Sequence, residues 1–381
     1  MIPFHIGVPL EQKNKMFANS KKISLCALTL YPHNTVPGQR YRIEQWEPYL
    51  KEHGIEVDYF SFADEKLTKT IPQSGKILAK ISGFANAFLR RFSHLTKLKN
   101  YDAILIYRAV SIVGPAFLER LIKLSGRPII YDFDDAIFLT HTSETNKFFS
   151  WAKFAGKTAS ICRLSDSVTV GNEWLADYAR QNNQNVTIIP SSVDTNIYQP
   201  KEKESREKIV VGWTGSSTSQ THLEMFAPLL RELCQKYPIE IHVHSDRSPD
   251  LPEIPFVWHK WSVDNEVEVI SNFDIGIMPM PEDEWSLGKC SMKALLYMSL
   301  AVPTVCSDIG MNREVIRHGD NGFLAKTNEE WIEQIGNLVK DADLRKKIGD
   351  AARKTVEEKY SMTKCAGLFA EVVRKSLEKS K

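Results

Sequence analysis

The run WSLGKCSMKALLYMSLAVPTVCSDIGMNREVIRHGDNGF, residues 285–323, decides the fold that the sequence predicts. Its Gly288–Lys289 turn opens a helix whose apolar residues recur three to four positions apart, and a β-rich strand over 302–306 follows. The free N–H groups at such a helix start attract anions, and Lys289 and Lys293 add two positive charges on nearly the same side. The run therefore predicts a site for a phosphate-bearing ligand next to a buried strand.

A second turn and helix, residues 308–317, come directly after that strand. In doubly wound α/β folds, ligands bind beyond the carboxyl ends of the parallel strands. We therefore expect Asn312, Arg313 and Glu314 to reach the same ligand.

Strand and helix patterns alternate along the rest of the chain as well. A polar, charge-rich stretch at 201–208 separates two such series and is the predicted hinge. This order predicts an α/β protein with two Rossmann-like doubly wound domains, 1–200 and 201–360, that face one another across a cleft. The final segment, 361–381, has the apolar face of an amphipathic helix, and residues 1–22 carry no clear pattern.

Composition excludes several classes of protein. The 381 residues are 43 % hydrophobic, which is enough for two cores, and a formal charge of +2 argues against a nucleic-acid-binding protein. The six cysteines lie far apart, without the spacing of zinc sites, as is typical of a reducing cytosol. The chain has neither an apolar run near the roughly 18 residues of a spanning helix nor a signal-peptide core. We expect a cytoplasmic protein, either soluble or peripheral at the inner membrane face.

Residues 66–101 form a basic segment with eight Lys or Arg residues and no Asp or Glu. Its apolar residues recur at helical spacing, which fits a helix lying on an anionic membrane surface. Alternatively, the apolar stripe packs on the sheet of its own domain and the charges are solvated. Nucleic acid binding is a weaker third interpretation, because the aromatic residues follow the helical period rather than forming a stacking platform. The stripe comprises Ile77, Ile81, Phe84, Ala85, Phe88, Phe92 and Leu95.

The loop after the first predicted strand contains Gly38, Arg40 and Arg42. Glycine permits a close backbone approach, and the two arginines could reach an anion at the predicted cleft. The arginines could instead be solvated or pair with carboxylates of their own domain.

The run DFDD, residues 132–135, ends another predicted strand. Carboxylates at such a position, here Asp134 and Asp135, lie where α/β folds bind ligands. They could orient a hydroxyl group or accept its proton. A magnesium site and a simple helix cap are the alternatives, and we predict no metal site.

In the second half, Gly215, Ser216 and Ser217 follow a continuous apolar strand. Small hydroxyl residues and backbone amides at a helix start can hold phosphate oxygens without side-chain charge. A loop that only caps its helix would have the same sequence.

Three further segments, together with 285–323, resemble the family-four (group 1) retaining glycosyltransferases. IIPSSVDTNIYQP (188–200) resembles the family's linker, KIVVGWTG (208–215) the first strand and glycine turn of its second domain, and FDIGIMPMP (273–281) the strand before its donor site. The resemblance implies the GT-B architecture, with an acceptor-side first domain, a donor-binding second domain and a last helix that packs back on the first domain.

The chain departs from the family at two positions. Where the family has two glutamates eight residues apart, this sequence has Gly288 and Leu296, and the expected arginine and lysine after the glycine turn are absent from GSSTSQTHLE. Some divergent relatives have the same GKC turn and a further lysine. There the two lysines, here Lys289 and Lys293, take over binding of the diphosphate.

The resemblance implies a hexosyltransferase-like enzyme that moves a sugar from a nucleotide-diphosphate donor to a saccharide or lipid-linked acceptor in cell-surface polysaccharide synthesis. It implies no metal or other cofactor, and it places Asp134 near a position often held by a histidine beside the reacting sugar. Two other functions are a non-catalytic subunit that binds sugar nucleotides or glycans, and a nucleotide-sugar epimerase. The predicted catalytic residues are Asp134, Asp135, Lys289 and Lys293, and the predicted donor-binding residues are Gly215, Ser216, Ser217, Gly288, Lys289, Lys293, Asn312, Arg313 and Glu314.

Overall fold

The chain forms two compact units. The first unit runs to Ile189 and takes in the chain from Cys365 onward, and the second is Pro190–Lys364. The computed structural model describes residues 22–73, 75–139, 154, 156–202 and 206–379.

Six parallel strands form the sheet of the first unit. They are β1 (Ile23–Thr29), β2 (Ile55–Ser61), β3 (Ala103–Tyr107), β4 (Ile129–Phe133), β5 (Ser167–Val170) and β6 (Val186–Ile188). Their order is β2-β1-β3-β4-β5-β6, so the direction of winding reverses between β1 and β3. The middle strands β3 and β4 are buried along their whole length, as their continuous apolar sequences predict.

The helices of the first unit cover its sheet. They are α1 (Pro37–Arg42), α2 (Glu47–Glu52), α3 (Glu65–Thr70), α4 (Ile77–Leu95), α5 (Phe117–Lys123), α6 (Lys157–Leu164) and α7 (Glu173–Arg180). Short polar side chains begin two of them: Asp64 accepts from the Leu67 N–H at α3, and Asn172 accepts from the Leu175 N–H at α7.

The start of the first unit differs from the sequence prediction. Residues 37–42 form α1 rather than a turn-rich loop, because Pro37 has the backbone angle of a first helical residue. The apolar pattern over 43–53 predicts a single helix, but these residues form a 3-10 turn at Glu44–Trp46 followed by α2, which has a proline in its first turn.

The second unit also has a six-stranded parallel sheet. Its strands are β7 (Ile209–Gly215), β8 (Ile239–Ser245), β9 (Phe256–Lys260), β10 (Ile275–Met278), β11 (Thr304–Ser307) and β12 (Phe323–Ala325). The order β12-β11-β10-β7-β8-β9 means that the chain winds outward from β7 in one direction and returns at β10 to wind in the other. Ligands of such sheets bind at this reversal, beyond the carboxyl ends of β7 and β10.

The helices of the second unit lie between these strands. They are α8 (Ser217–Met225), α9 (Ala227–Lys236), α10 (Glu266–Ser271), α11 (Glu284–Leu287), α12 (Met292–Ser299), α13 (Asn312–Val315), α14 (Asn328–Lys340) and α15 (Ala342–Thr355). The apolar pattern over about 221–236 predicts one helix, but the structure has two, α8 and α9, which meet at Phe226. Pro228 lies in the first turn of α9 and cannot continue the ladder of α8.

The last helix, α16 (Met362–Lys379), returns to the first unit. The ring of its Phe369 packs 5.5 Å from that of Trp46, and Ser376 Oγ lies 2.8 Å from Ser167 Oγ. In the described part of the chain, no helix has both the length and the apolar character needed to cross a membrane.

The second unit begins earlier than the predicted linker at 201–208, part of which, 203–205, lies outside the described residues. Val193 pairs with the turn before α16, since its N–H donates to Tyr360 O over 3.0 Å. Arg353 donates to Thr195 O over 2.8 Å. These contacts hold the stretch after Ile189 against the second unit.

Candidate functional site

Two lysines lie near the carboxyl end of β7. Lys293 is the second residue of α12, and its Nζ lies 5.4 Å from the ring centroid of Trp213, a β7 residue. Lys289 is in the turn before that helix, and its Nζ lies 4.7 Å from the ring centroid of Trp285. Both ammonium groups therefore rest on indole faces, which attract cations without neutralising them.

The positive charge of Lys289 makes it less favourable for Lys293 to carry its own proton. Burial first, and the charge of Lys289 second, lower the pKa of Lys293 to about 8. The same pocket lowers the pKa of His222, on α8, to about 4, through burial first and then through Lys293 and Lys289. A bound anion would reverse these shifts, because an opposite charge stabilises each protonated group. The pocket is therefore suited to a phosphate.

His222 is a site residue that sequence reasoning missed. It lies seven positions after Gly215, in a helix that begins directly after β7. Among the described residues its buried Nδ1 has no hydrogen-bond partner. A histidine two turns into the helix after a glycine turn was the only local signal, and its approach to Lys289 and Lys293 depends on tertiary packing.

A hydrogen-bond network fixes the turn that presents the lysines. Ser291, just before α12, has the left-handed backbone angle φ 51°, which is costly for a residue with a side chain. Its hydroxyl donates to Asn312 Oδ1 over 2.7 Å, and Asn312 Nδ2 donates to Ser307 O over 2.9 Å. Asn312 is buried, so it ties the turn to the end of β11 instead of contacting a ligand as predicted.

Ligand contact by Arg313 and Glu314 stays a prediction. Arg313 is paired within its own loop: its Nε donates to Asp308 Oδ1 and its Nη2 to Asp308 O, each over 2.7 Å. This hydrogen bond and the carboxylate charge raise the pKa of Arg313. Glu314 is exposed on the short helix α13. Lys289 and Lys293 thus lie near one another, whereas Arg313 forms an ion pair with Asp308.

The glycine turn after β7 is shaped by packing. A Cβ at Gly215 would lie 2.5 Å from the Trp213 indole, so only glycine fits there. Ser217 donates from its N–H and its hydroxyl to the carboxylate of Asp246, over 2.5 and 2.8 Å. That carboxylate holds the first turn of α8 and repels an anion, which corrects the expectation that Ser217 binds phosphate. The Ser216 hydroxyl lies 2.7 Å from that of Thr218.

The two positions where the family has glutamates contribute no polar side chain. Gly288 ends α11 and is buried, and Leu296 is 4 % exposed within α12. Side-chain charge at this turn therefore comes from the flanking Lys289 and Lys293.

In the first unit, Arg42 is part of a buried ion pair. Its Nε donates to Asp132 Oδ1 over 2.9 Å and its Nη2 to Oδ2 over 2.8 Å, while Nη1 donates to Ile189 O. Both side chains are fully buried, and Thr169 also donates to the Asp132 carboxylate. The prediction that Arg42 reaches an anion is therefore wrong, and the alternative of a carboxylate partner in its own domain is correct.

Arg40 and Gly38 have different roles near this pair. Arg40 is buried, with its guanidinium carbon 4.6 Å from the Tyr41 ring centroid, and its contact with an anion stays a prediction. A Cβ at Gly38 would lie 3.2 Å from both Arg108 Nη2 and the Tyr107 hydroxyl. Gly38 therefore gives room to the side chains that end β3.

Those side chains hold Asp134, just beyond β4. Arg108 donates from Nε and Nη2 to Asp134 Oδ1 over 3.0 and 2.8 Å, and the Tyr107 hydroxyl donates to the same oxygen over 3.0 Å. Burial alone would raise the pKa of Asp134, but the Arg108 and Arg42 charges and these hydrogen bonds lower it. Asp134 is thus ionised and a weak base, better suited to orienting a hydroxyl group than to taking its proton. Arg108 has φ 60°, a strained angle that places its guanidinium here.

The DFDD run does not assemble a cation site. Asp132 turns toward Arg42, whereas Asp134 and Asp135 lie 2.8 and 3.7 Å from Arg108 Nη2. Over the described residues, no group of three His, Cys, Asp or Glu side chains could hold a metal ion. The carboxylates of the DFDD run are instead paired with Arg42 and Arg108.

Comparison with known proteins gives the family of this site. Residues 254–355, which contain both lysines, match the profile of the glycosyl transferases group 1 family. One relative is N-acetyl-alpha-D-glucosaminyl L-malate synthase of Bacillus anthracis, 29 % identical over 108 residues, or 28 % of this chain and 27 % of that protein. Another is the GDP-Man:Man(3)GlcNAc(2)-PP-Dol alpha-1,2-mannosyltransferase of Dictyostelium discoideum, 26 % identical over 26 % of this chain and 20 % of that protein. The similarity thus spans about a quarter of these relatives.

Solved structures resemble the chain over nearly its whole length. A glycosyltransferase from Rickettsia africae has a TM-score of 0.66 at 15 % identity, covering 94 % of this chain and 99 % of that one. Anabaena HepE, solved with UDP and glucose, has a TM-score of 0.62 at 15 % identity, covering 92 % and 99 %. Both units have the Rossmann-like topology of these GT-B glycosyltransferases. Residues 254–355 thus match the group 1 glycosyltransferases, and over the rest of the chain the likeness to solved glycosyltransferases is one of fold.

Proposed function

We propose that the protein is a glycosyltransferase that moves a sugar from a nucleotide-diphosphate donor to a saccharide or lipid-linked acceptor in cell-surface glycan synthesis. One observation carries this proposal. Lys289 and Lys293 lie at the start of α12, near the carboxyl end of β7 where parallel sheets bind their ligands, and burial together with the Lys289 charge lowers the pKa of Lys293 to about 8. Such a pocket needs an anion, and a diphosphate supplies it.

The chemistry explains why two cations are needed. In sugar transfer, the bond between the anomeric carbon and the diphosphate oxygen breaks, and negative charge develops on that oxygen. Positive groups already in place stabilise this charge without reorganisation, which is the largest contribution in many enzymes. We assign that task to Lys289 and Lys293 and propose that the reaction retains the anomeric configuration.

The known structures support the class of donor. Anabaena HepE has been solved with UDP-glucose, and TarM with UDP and alpha-GlcNAc-glycerol. These ligands belong to those proteins, and their fold is the one found here. They support a nucleotide-diphosphate sugar as donor and a saccharide as acceptor.

The acceptor is assigned to the first unit. Asp134, ionised and fixed by Arg108 and Tyr107, would accept a hydrogen bond from an acceptor hydroxyl and orient it. Asp135 lies beside it. We propose that no metal takes part, because the lysines provide the charge that a divalent cation would otherwise supply. Undiminished activity in EDTA would support this, and restoration by Mg²⁺ after its loss would contradict it.

The experiment that tests the proposal begins with binding. The purified protein is melted with UDP, GDP, ADP and CDP sugars, since a ligand of the native state raises the melting temperature. The stabilising donor is then incubated with oligosaccharide or lipid-linked acceptors. Mass spectrometry should detect the product, and NMR of the new linkage should show the donor's anomeric configuration. No stabilisation by any of the four would contradict the assignment.

A second function is favoured by one observation, the absence of polar side chains at Gly288 and Leu296. A protein without the glutamate pair could bind a sugar nucleotide or glycan without turnover, as the subunit of an active partner. Tight binding with neither hydrolysis nor transfer would support that function. Conversion of the donor's sugar without acceptor would indicate an epimerase instead. In each case we expect the protein to act at the cytoplasmic side, where sugar nucleotides are available.

A further inference from the structure

Helix α4 presents large apolar side chains to solvent. Ile77, Leu78, Ile81, Leu89 and Phe92 are 60, 83, 59, 69 and 44 % exposed. At about 100° per residue they lie within an arc of about 120°, and we call this set the α4 stripe. Single exposed leucines are ordinary, whereas a contiguous set on one face marks an interaction surface.

One edge of the α4 stripe and the helix face next to it pack on the helix's own unit. The ring centroids of Phe84 and Phe88 lie 6.4 and 5.2 Å from that of Phe62, and Ala87 is buried in the same apolar cluster as Phe62 and Leu67. The apolar pattern of the sequence therefore divides into two parts. Packing within the first unit, one of the two alternatives for these apolar residues, explains Phe84 and Phe88. It does not explain the exposed residues of the α4 stripe.

The orientation of α4 is fixed by a buried arginine. Arg91 is fully buried, and its Nη1 and Nη2 donate to Phe60 O and Thr29 O over 2.8 and 2.6 Å. These carbonyl groups belong to the ends of β2 and β1. Turning the α4 stripe inward would strand this guanidinium without partners in the core, which is strongly unfavourable. The hydrogen bonds of Arg91 therefore keep the α4 stripe exposed to solvent.

The charges around the stripe select its partner. Exposed lysines lie before and after the helix, with Lys76 directly before its start and Lys97 and Lys99 just beyond its end. The segment 66–101 has no Asp or Glu. A second copy of this chain would bring the same positive charge against itself, which disfavours a dimer through this face. An anionic surface with an apolar interior matches both features.

We propose that α4 docks the protein on an anionic lipid bilayer, with the α4 stripe among the acyl chains and the flanking lysines against the headgroups. This surface belongs to the first unit and is independent of Lys289 and Lys293. Donor binding and membrane docking can therefore fail separately.

Flotation with vesicles tests the proposal. The full chain should float with vesicles containing about one third phosphatidylglycerol, and far less with phosphatidylcholine alone. Binding should fall as salt rises, because salt screens the lysines. The double variant Leu78→Gln/Leu89→Gln should bind roughly tenfold or more weakly. Leu124→Gln, at a leucine that is 79 % exposed outside α4, is the matched control and should bind as the wild type does.

Three results would overturn the proposal. The wild type could stay in the aqueous layer with both vesicle types, or the double variant could float as well as the wild type. Light scattering without lipid could instead show a dimer that the double variant abolishes, which would assign the stripe to a second copy. An unchanged melting temperature and unchanged nucleotide binding of the double variant would show that its fold is intact.

Discussion

Replacing Lys293 by methionine should weaken donor binding and, at the same time, stabilise the empty protein. Methionine keeps most of the length of the side chain and removes its charge. In the empty pocket that charge is unfavourable, since burial and Lys289 lower its pKa from 10.5 to about 8. A diphosphate turns the same charge into a favourable contact. The Lys293→Met substitution should therefore lower the affinity for the donor and raise the stability of the empty protein.

The size of both effects follows from the pKa of Lys293. Lowering it from 10.5 to about 8 corresponds to roughly 3 kcal/mol of destabilisation of the folded protein at neutral pH. The full cost is present below about pH 8 and is relieved progressively as the pH rises from the folded pKa of about 8 to the unfolded value of 10.5. Part of it is offset by the contact with Trp213. We expect the Lys293→Met variant to be more stable by about 1 to 2 kcal/mol and its donor dissociation constant to rise at least about tenfold.

Two assays measure these effects on the same preparations. Isothermal titration calorimetry with the nucleotide that stabilises the wild type gives the affinity, and urea denaturation of the empty protein gives the free energy of unfolding. Lys260→Met, at an exposed lysine of the same unit, is the control and should change neither quantity. Unaltered donor affinity in Lys293→Met would refute the role of this lysine. Weaker binding together with lower stability would indicate a purely structural defect.

Three further predictions concern pH, a buried ion pair and a glycine. Donor affinity should be constant below the pKa of Lys293, about 8, and fall as the pH rises above it, because binding requires the protonated amine; calorimetry in two buffers near that pH should detect proton uptake. Arg42→Met should lower the unfolding free energy by about 3 to 5 kcal/mol, since it leaves the Asp132 carboxylate buried and unpaired, whereas Lys22→Met, at an exposed ion pair, should leave it nearly unchanged in the same urea titration. Gly215→Ala should lower the melting temperature, because its Cβ would lie 2.5 Å from an indole carbon, and a native melting curve would contradict this packing.

The two sheets could be predicted because their strands are encoded locally. Strands buried on both faces need continuous apolar runs, and the runs at β3, β4, β7 and β10 are of this kind. Helix breaks were harder to predict. The break at Phe226 depends on where one proline falls relative to a helix turn, and a periodic apolar pattern continues across it.

The candidate site could be predicted only in part. Lys289 and Lys293 stand out locally, as charges at the start of an apolar helix. The buried ion pair of Arg42 could not be predicted, because its partner Asp132 is 90 residues away in sequence. His222 could not be predicted as a site residue either. Nothing in the sequence around this histidine indicates that Lys289 and Lys293, which are distant in sequence, lie nearby in the fold.

The measurement that tests the central claim most directly is a crystal structure of the full chain soaked with the nucleotide diphosphate that stabilises it. We predict the diphosphate at the start of α12, with oxygens within hydrogen-bonding distance of both Lys289 Nζ and Lys293 Nζ. A nucleotide bound elsewhere, with both lysines still resting on their indole rings and remote from any phosphate, would contradict the claim.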